Sequence, residues 1–451
     1  MFSLKEAIRP YYLRWLYFPL CPRRRPQAFQ DCWRYSYRRV VPGTRLPQPS
    51  SGLPDLIVYP MTDWHNRVQR TQQLVRAFAA LGFRCVYLNP HLGREFETSY
   101  LFDKAHRLSE IGENIYELHV RLPSEPVFHD RLLSAREEGI IATAVHAVLP
   151  EGTRAIQLLS FPLWSGVARK FRAESAFPIV YDCHDLLSGF QNISAEVIQS
   201  ETALLREADL VLFSSQGLED RFQAEVRRSI LVRNAVTAAE FQRPHPTVAG
   251  PPAAGYVGAL DSWFDVDSVE QAARRNPQCR FLIAGRPEYR ALRRLTTLSN
   301  VELVGEVPYH QLPDFLSRLT VALIPFAITP LTLMTNPIKL YEYFSLGLPV
   351  VSSALPEAQA MGDLVYIGET PADFSRQVTR ALAEEDSGLK ARRRELASRE
   401  SWVSRAYAIS SQFESLVSPG PWPPTPALHS PPASITLPNS GPVSAKVHKN
   451  R

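Results

Sequence analysis

The sequence predicts an α/β protein of two domains, each with a parallel sheet covered by helices. A chain of 451 residues exceeds what one hydrophobic core usually serves. Short apolar runs alternate with longer helical patterns in both halves, and a stretch with Pro and Gly, residues 243–252, separates the halves. The composition, with 45% hydrophobic and 21% charged residues, is ordinary for a globular protein.

The first domain is expected over residues 53–245. Residues 55–60 (DLIVYP) predict a buried strand, and residues 68–81 predict a helix with apolar side chains at 74, 75, 78 and 81. Gly82 ends that helix, and residues 83–89 (FRCVYLN) predict the next strand. Four more strands are predicted at 155–160, 178–182, 209–213 and 230–233.

The second domain is expected over residues 246–400. Helical patterns separate its six predicted strands, so the sheet is again predicted to be parallel. The strands are predicted at 254–259, 281–285, 301–304, 321–325, 349–353 and 364–367. Residues 401–417 predict a closing helix, whereas residues 418–451 contain nine prolines and predict a disordered tail.

The N-terminal arm, residues 1–52, combines arginine with aromatic residues. Residues 1–45 hold ten basic side chains against two acidic ones, a balance of +8 in a chain whose total is +5. Cations and aromatic rings suit the headgroup zone of an anionic membrane, so we expect residues 1–45 to contact such a surface. The alternative is an extended arm that packs its rings on the protein itself. No nucleic-acid module accompanies the charge, so nucleic acid is not an expected partner.

The cysteines and the apolar runs indicate a cytoplasmic protein. Five scattered cysteines without a CxxC pair favour reduced thiols over a zinc site or a disulfide framework. No apolar run approaches the roughly 18 residues that cross a bilayer. Lys5, Arg9 and Arg14 interrupt the N-terminus before a secretory signal could form. We therefore expect a cytoplasmic protein, with peripheral attachment at the inner face of the membrane.

The most informative motif is residues 336–351, NPIKLYEYFSLGLPVV. Asn336 is a good N-cap and Pro337 a good first residue for a helix on which Lys339 and Glu342 share one face. A helix N-terminus beside a lysine can hold a diphosphate, and a carboxylate one turn on can accept both hydroxyls of a ribose. The alternative is an exposed Lys–Glu pair on an ordinary surface helix.

This motif resembles the nucleotide-binding segment of retaining glycosyltransferases of family 4, which have the GT-B fold. Residues 255–266 (GYVGALDSWFDV) resemble the glycine loop that opens the C-terminal domain of that family, and residues 301–313 resemble the segment that meets the nucleobase. Residues 178–190 and 201–214 resemble later strands of its N-terminal domain. The likeness covers about residues 53–417 and is nearest to bacterial transferases of cell-surface polysaccharide assembly, such as those of teichuronic acid.

The resemblance implies two Rossmann-like domains that face a cleft, with the nucleotide-sugar held by the second domain. Glu342 would bind the ribose, Lys339 and Arg286 would neutralise the diphosphate, and Gly258 would let the backbone approach it. Val307 would meet the base through its backbone. Backbone amides near Asn336 would contact the donor as well.

Two departures from the family pattern concern the donor. The family often carries a first glutamate eight positions before the second, and here Met334 stands at that position. A basic residue normally follows the glycine loop, but aspartates stand here instead. The diphosphate is therefore expected to depend on Arg286 and Lys339, and the identity of the donor sugar stays open.

On the side of the first domain, His184 and Asp185 follow strand 178–182 and are expected at the cleft as catalytic residues, in contact with the donor sugar or orienting the acceptor hydroxyl. Structural hydrogen bonding and a metal site are the alternatives; neighbouring residues of an extended chain point to opposite sides, which argues against one shared ion. The loop after the first strand offers a sugar-binding rim for the acceptor, formed by Asp63, Trp64, His65 and Arg67.

The predicted activity is transfer of a sugar, with retention and without a metal or other cofactor, from a UDP- or GDP-sugar to an acceptor hydroxyl. The expected acceptor is a glycan or a lipid-linked glycan. Two other functions remain open at this point. A nucleotide-sugar epimerase or hydrolase would act on the donor alone, and an inactive GT-B scaffold would only bind.

Overall fold

The computed structural model describes residues 45–47, 52–64, 67–89, 106–120, 122, 129–242, 250–286 and 289–417. Most of the basic arm and the whole Pro-rich tail lie outside these residues. Membrane contact by residues 1–45 and disorder of residues 418–451 therefore stay predictions. Among the described residues, no helix combines the length and the apolar character needed to cross a membrane.

The first domain is built on an eight-stranded sheet with the order β3-β4-β2-β1-β5-β6-β7-β8. All neighbouring pairs are parallel except β3 and β4, which form an antiparallel edge. The central strands are buried along their whole length, as expected for a parallel sheet with helices on both faces. The strands are β1 Asp55–Tyr59, β2 Cys85–Asn89, β3 His106–Gly112, β4 Ile115–Val120, β5 Ala155–Leu159, β6 Ile179–Cys183, β7 Leu210–Phe213 and β8 Ser229–Leu231.

Among the described residues, five helices accompany this sheet: α1 Arg70–Ala80, α2 Ala135–Val148, α3 Ser165–Ser175, α4 Ala195–Glu207 and α5 Gln216–Phe222. Several begin at a serine whose side chain accepts a backbone N–H of the first turn. At α2, Ser134 and Glu137 form a full capping box. The local sequence therefore sets where these helices start.

The second domain is built on a six-stranded parallel sheet with the order β11-β10-β9-β12-β13-β14. Counted within the domain, this is the 3-2-1-4-5-6 order of a Rossmann fold. The strands are β9 Ala253–Val257, β10 Arg280–Ala284, β11 Val301–Gly305, β12 Val321–Ile324, β13 Val350–Ser353 and β14 Val365–Gly368. The helices are α6 Ala238–Phe241, α7 Val266–Arg275, α8 Leu312–Leu316, α9 Pro330–Leu333, α10 Ile338–Ser345, α11 Pro356–Gln359, α12 Pro371–Leu382, α13 Ser387–Arg399 and α14 Trp402–Phe413.

The last helix, α14, packs on the first domain rather than on the second. Ser401, just before it, forms a parallel bridge with Val236. At its end, the ring of Phe413 stacks on Phe78 of α1, with 5.7 Å between the centroids. The chain thus crosses back to the first domain, which ties the two domains together at one edge.

The fold class predicted from the sequence, two facing Rossmann-like α/β domains, is confirmed. Twelve predicted strands correspond to β1, β2 and β5–β14, with ends that differ by one or two residues. The prediction missed the β3–β4 hairpin, whose turn contains Asn114 at a φ of 58°. The first sheet is consequently mixed and not purely parallel.

Candidate functional site

The predicted donor residues gather where the strands of the second sheet end. Gly258 follows β9 directly, and Arg286 stands two residues beyond β10. Glu306 and Val307 follow β11 in the same way. The strand order reverses between β9 and β12, and in such sheets ligands bind outside the carboxyl ends at this point.

Helix α10 brings Lys339 and Glu342 to this edge, but its start differs from the prediction. Pro337, not Asn336, is the N-cap residue, and no side chain caps the helix. Asn336 is 2% exposed, and its side chain accepts the backbone N–H of Asn234 at 2.9 Å and donates to Glu357 at 2.8 Å. The capping role expected for Asn336 is therefore wrong, because its side chain instead bonds across the domain boundary.

Glu342 is a buried carboxylate that no neighbouring side chain neutralises by a hydrogen bond. It is 5% exposed, and no hydrogen bond or ion pair reaches its side chain from the part of the chain that the structure describes. Burial raises its pKa to about 7, although the attraction of Lys339 acts in the opposite direction. A carboxylate held in this way has all its acceptor positions free for a ligand.

Glu342 lies at the boundary between the domains. Its charge contributes to the raised pKa of the Tyr309 hydroxyl, after the larger effect of burial, so the two groups are close. That hydroxyl accepts a hydrogen bond of 2.7 Å from Gln73 on α1 of the first domain. The carboxylate is therefore close to the contact between Tyr309 and Gln73, where the two domains meet.

Lys339 lies next to Glu342 with its ammonium group over the ring of Tyr256, 5.6 Å from the centroid. Burial lowers its pKa, Glu342 raises it, and Arg67 of the first domain lowers it. The influence of Arg67 places this lysine, too, at the domain boundary. Within the described residues, the ammonium makes no hydrogen bond or ion pair, so its donors are free for an anion.

Gly258 is the position where the chain passes closest to Lys339. It has a φ of 152°, and a Cβ built on it would lie 2.2 Å from Cε of Lys339 and 2.8 Å from the hydroxyl of Tyr256. Only glycine leaves room there for the lysine side chain. The glycine in the loop is thus required by the placement of the cation.

We expect Gly258→Ala to displace Lys339 and to lower the free energy of unfolding by roughly 1–3 kcal/mol. Affinity for a nucleoside diphosphate should fall with it, as measured by titration calorimetry. Gly152→Ala is the control, since Gly152 also has a positive φ, 75°, but no atom within 4 Å of a built Cβ. Equal loss of affinity in both variants would contradict this role.

Arg286 and Arg67 share one carboxylate across the cleft. Glu306 accepts from Nε of Arg67 at 2.8 Å and from Nε of Arg286 at 2.9 Å. Partial burial raises the pKa of Glu306, but the two guanidinium groups outweigh it and hold this pKa below its ordinary value. Arg286 remains 46% exposed. The two arginines, one from each domain, therefore form a positive pair around a single acidic side chain.

On the first domain, His184 and Asp185 follow β6 as predicted. Nδ1 of His184 lies 2.9 Å from the carbonyl oxygen of Asp182, which can only accept, so Nδ1 carries the proton. Nε2 lies 3.8 Å from Oδ2 of Asp185, beyond hydrogen-bond distance. Burial raises the pKa of Asp185, while His184 lowers it. Asp182 differs from both, because it is fully buried and pairs with Arg70 at 2.9 Å.

The predicted acceptor rim is only partly a surface. Asp63 is buried and accepts a hydrogen bond of 2.6 Å from Asn89. Trp64 packs edge-on against Tyr87, with 5.1 Å between the centroids. His65 lies outside the described residues. Arg67 faces the second domain through its ion pair with Glu306.

Val307 and Met334 both pack against the hydrophobic cores of the domains. Val307 is half-buried and packs against the core of the second domain, which leaves its backbone at the strand end. Met334 packs against the first domain, and its carbonyl accepts a hydrogen bond of 2.5 Å from Ser215. Within the described ranges, no group of three potential ligands could hold a metal ion.

Glu306, Tyr309 and Tyr256 were not identified as site residues from the sequence. Glu306 adjoins the predicted base-binding residue Val307, and this position was the only signal for it. The two tyrosines belong to segments that the resemblance covers, but nothing in their spacing indicates contact with Lys339 or Glu342.

Two facing Rossmann-like domains with a cleft at the carboxyl ends of their strands define a GT-B protein. Residues 251–384 match the family described as "Glycosyl transferases group 1". This match confirms the likeness of the second domain to the glycosyl transferases of group 1.

A curated relative and two solved structures agree with this class. The relative is a Bacillus subtilis (strain 168) protein provisionally described as the teichuronic acid biosynthesis glycosyltransferase TuaH, 26% identical over 252 residues, which are 50% of this chain and 64% of the relative. The chain therefore matches less than two thirds of that relative's length. Sucrose-phosphate synthase from Thermosynechococcus elongatus has a TM-score of 0.63 at 17% identity, over 80% of this chain and 98% of the other. HepE of Anabaena, in complex with UDP and glucose, has a TM-score of 0.60 at 13% identity, over 80% and 100%.

Proposed function

We propose that this protein is a retaining glycosyltransferase that moves a sugar from a UDP- or GDP-sugar to an acceptor hydroxyl in the assembly of a cell-surface polysaccharide or glycolipid. The observation that carries the proposal is the pair formed by Glu342 and Lys339. Glu342 is buried and Lys339 is half-buried at the domain boundary, and neither side chain makes a hydrogen bond within the described residues. Burying a carboxylate without a hydrogen-bonded partner costs stability, which a binding site justifies.

Glu342 would bind the ribose of the donor. The two vicinal hydroxyls of a ribose can both donate to one carboxylate, and hydrogen bonds to a charged acceptor are the strong ones. Its raised pKa of about 7 means that binding must draw the carboxylate into its ionised form. Affinity for the nucleotide should therefore rise as the pH rises through neutrality.

Lys339 would hold the diphosphate. As the sugar departs, negative charge grows on the phosphate oxygens, and a fixed ammonium stabilises that charge more in the transition state than in the ground state. The ammonium group is fixed by the ring of Tyr256 and by the space that Gly258 leaves. This lysine would therefore contribute to the rate more than to the binding of the donor.

Arg286, and with it Arg67, would complete the anion site. Glu306 now occupies both guanidinium groups, and a diphosphate that binds between them would compete with this carboxylate. Bidentate contacts make arginine well suited to phosphate. Because the donor would contact both domains, its binding would favour a closed cleft.

We expect Glu306→Gln to raise affinity for a nucleoside diphosphate about two- to fivefold, because the competing carboxylate is gone, and Arg286→Gln to lower it. The gain should shrink as the salt concentration rises. The control is Glu302→Gln, which breaks an exposed pair with Arg280 on neighbouring strands, at 2.8 Å. A fall in affinity for Glu306→Gln in titration calorimetry would contradict this arrangement.

His184 and Asp185 would orient the acceptor. With the proton of His184 on Nδ1, the Nε2 lone pair can accept a hydrogen bond from the attacking hydroxyl. No protein nucleophile is needed, since a phosphate oxygen of the leaving diphosphate can take the proton of that hydroxyl on the same face of the sugar. The catalytic residues on this side would position the hydroxyl.

The relatives and the basic arm support the proposed chemical class of the substrates. The relative in Bacillus subtilis is described in terms of teichuronic acid biosynthesis, and HepE was solved with UDP and glucose. A lipid-linked glycan acceptor fits an N-terminal arm with a charge of +8 in residues 1–45. We infer a cytoplasmic enzyme that works at the inner face of the membrane.

An inactive scaffold is the second candidate, favoured by Met334. This methionine stands where the family often has a carboxylate, and its side chain packs on the first domain instead. The donor sugar would then lack one partner. A scaffold would bind nucleotide through Glu342 and Lys339 and catalyse nothing.

A panel of nucleotide-sugars offered together with a bacterial lipid extract tests the function. We expect mass spectrometry to detect one glycosylated lipid, NMR to find the anomeric configuration of the donor retained, and EDTA to leave the rate unchanged. Turnover of the donor without an acceptor would identify an epimerase or hydrolase. Binding of UDP or GDP without any product would identify the scaffold.

A further inference from the structure

A chain of hydrogen bonds, buried in large part, joins the two domains beside the cleft, and the proposed chemistry does not use it. It starts at Asp182, the fully buried carboxylate near the end of β6. Nε of Arg70, the first residue of α1, donates to its two oxygens at 2.9 and 3.0 Å. Nη1 of the same arginine donates to Oδ1 of Asn234 at 3.0 Å. Arg70 therefore connects the β6 end to the segment that leads out of the first domain.

Asn234 carries the chain across to the second domain. Its backbone N–H donates to Oδ1 of Asn336 at 2.9 Å, and its side-chain amide donates to the carbonyl oxygen of Asn336 at 2.6 Å. Asn336 stands two residues before α10, the helix of Lys339 and Glu342. The two asparagines thus form a paired contact between the domains.

Glu357, at the start of α11, anchors the far end of this chain. Its buried carboxylate accepts from Asn336 at 2.8 Å, and from two groups of the first domain: Arg233 at 2.8 Å and the backbone N–H of Gln216 at 2.9 Å. Arg405 of α14 donates to the carbonyl oxygen of Arg233 at 2.9 Å. Both domains and the closing helix therefore meet in one polar network.

We propose that Arg70 and Asn234 are positioning residues that hold His184 and Asp185 in register with α10. They act through other groups. Arg70 binds the carboxylate of Asp182, whose carbonyl oxygen accepts a hydrogen bond of 2.9 Å from Nδ1 of His184. Asn234 binds Asn336, in the segment before α10. The effect of this register on catalysis rests on the proposed function, whereas the register between the domains is itself a geometric property.

The network is suited to this task because it tolerates few other arrangements. Arg70, Asp182, Asn336 and Glu357 are buried, and Asn234 is half-buried. A buried polar group that loses its partner costs about 1–3 kcal/mol. A shift of one domain would break several of these bonds together, so the register is held cooperatively. Misplacing reacting groups by about 1 Å can lower a rate by two orders of magnitude.

The first test measures the register directly, without any need for turnover. Spin labels on unnatural amino acids at positions 196 and 385, both exposed and one in each domain, report the distance between the domains. We expect Asn234→Ala to broaden the distance distribution measured by double electron–electron resonance. Arg70→Lys should do the same, since a lysine keeps the charge beside Asp182 but cannot also reach Asn234 with a second donor.

Two variants serve as matched controls. Asn300→Ala removes an asparagine whose amide donates to backbone carbonyls within the second domain, at 3.0 Å for Ala273. Arg84→Lys alters another buried arginine, paired with Asp55 at the opposite end of the first sheet. We expect both to keep the narrow distribution. Distributions in Asn234→Ala and Arg70→Lys that equal those of the controls would overturn the proposal.

The second test separates positioning from simple loss of stability. With the sugar donor and acceptor, Asn234→Ala and Arg70→Lys should lower kcat at least about tenfold. The Kd for the nucleoside diphosphate should stay within about threefold, because Glu342 and Lys339 are not touched. A kcat equal to that of the two controls would overturn the positioning role. Absence of nucleotide binding to the wild-type protein would refute the proposed function instead, and the distance measurement would then decide on the register.

Discussion

Replacing Glu342 with Gln is expected to weaken binding of the nucleoside diphosphate roughly thirtyfold or more. The ribose hydroxyls would lose a charged acceptor, and hydrogen bonds to charged groups contribute about 1.5–3 kcal/mol each. Wild-type affinity should rise between pH 6 and pH 8 as Glu342, with a pKa of about 7, becomes ionised. In Glu342→Gln this rise in affinity should be absent, except for the part that comes from ionisation of the nucleotide itself. Titration calorimetry at the two pH values measures both effects.

The same substitution should make the protein more stable at alkaline pH. The folded-state pKa of Glu342, about 7, lies above the pKa of a glutamate in an unfolded chain. The favourable contribution of this carboxyl group to stability is therefore complete below about pH 4.5, and it is lost as the pH rises through 7. Glu342→Gln removes this loss. We expect a gain in the free energy of unfolding of roughly 2–4 kcal/mol at pH 8, which shrinks below about 1 kcal/mol near pH 4.5.

Glu201→Gln is the matched control for Glu342→Gln. Glu201 is also buried, burial also raises its pKa to about 7, and Tyr181 donates to it at 2.7 Å within the first domain. Its replacement should change the pH dependence of stability but leave nucleotide binding unaltered. Equal losses of affinity in both variants would show that Glu342 acts only through the fold.

The second large effect is expected for Lys339→Met. Methionine keeps much of the length and the contact with Tyr256 but removes the charge, so the leaving diphosphate loses its fixed cation. Loss of one such group typically lowers kcat by about 10²–10³. Affinity for the nucleotide should fall less. The pKa of Glu342 should rise further, because Lys339 now lowers it. The measurement is kcat together with the pH dependence of nucleotide binding.

Lys390→Met controls for the loss of a lysine from the second domain, since Lys390 lies exposed on α13. We expect its kcat to equal that of the wild type. A Lys339→Met variant with unchanged kcat but weakened binding would assign the ammonium to the ground state of the donor and contradict the catalytic role.

Much of the fold could be predicted because the strands of a parallel sheet have a strong sequence pattern. Each central strand is a short, fully buried apolar run, as in DLIVY of β1 and FLIA of β10, and this pattern does not depend on its neighbours. The β3–β4 hairpin carries a weaker signal. Its strands lie at the sheet edge, and β3 is only half-buried, so polar and apolar residues mix along it.

The placement of the candidate site residues could be predicted where it depends on local sequence. Lys339 and Glu342 are three residues apart on α10, and their spacing places them together in any helix. Local sequence also predicted that Asn336 caps this helix. Its side chain instead bonds to Asn234 and Glu357, which are 102 and 21 residues away, so tertiary partners override the local preference. The pairing of Arg67 with Glu306 spans 239 residues, and no local pattern indicates such a contact.

A thermodynamic cycle with UDP and 2′,3′-dideoxy-UDP, each titrated into the wild-type protein and Glu342→Gln, tests the central claim that Glu342 binds the ribose of a nucleotide donor. GDP and its dideoxy analogue replace them if the donor panel selects guanosine. We predict that removing the hydroxyls and removing the carboxylate are strongly non-additive, with a coupling energy of about 2 kcal/mol or more. Additive losses, with a coupling energy near zero, would contradict a contact between this carboxylate and the ribose.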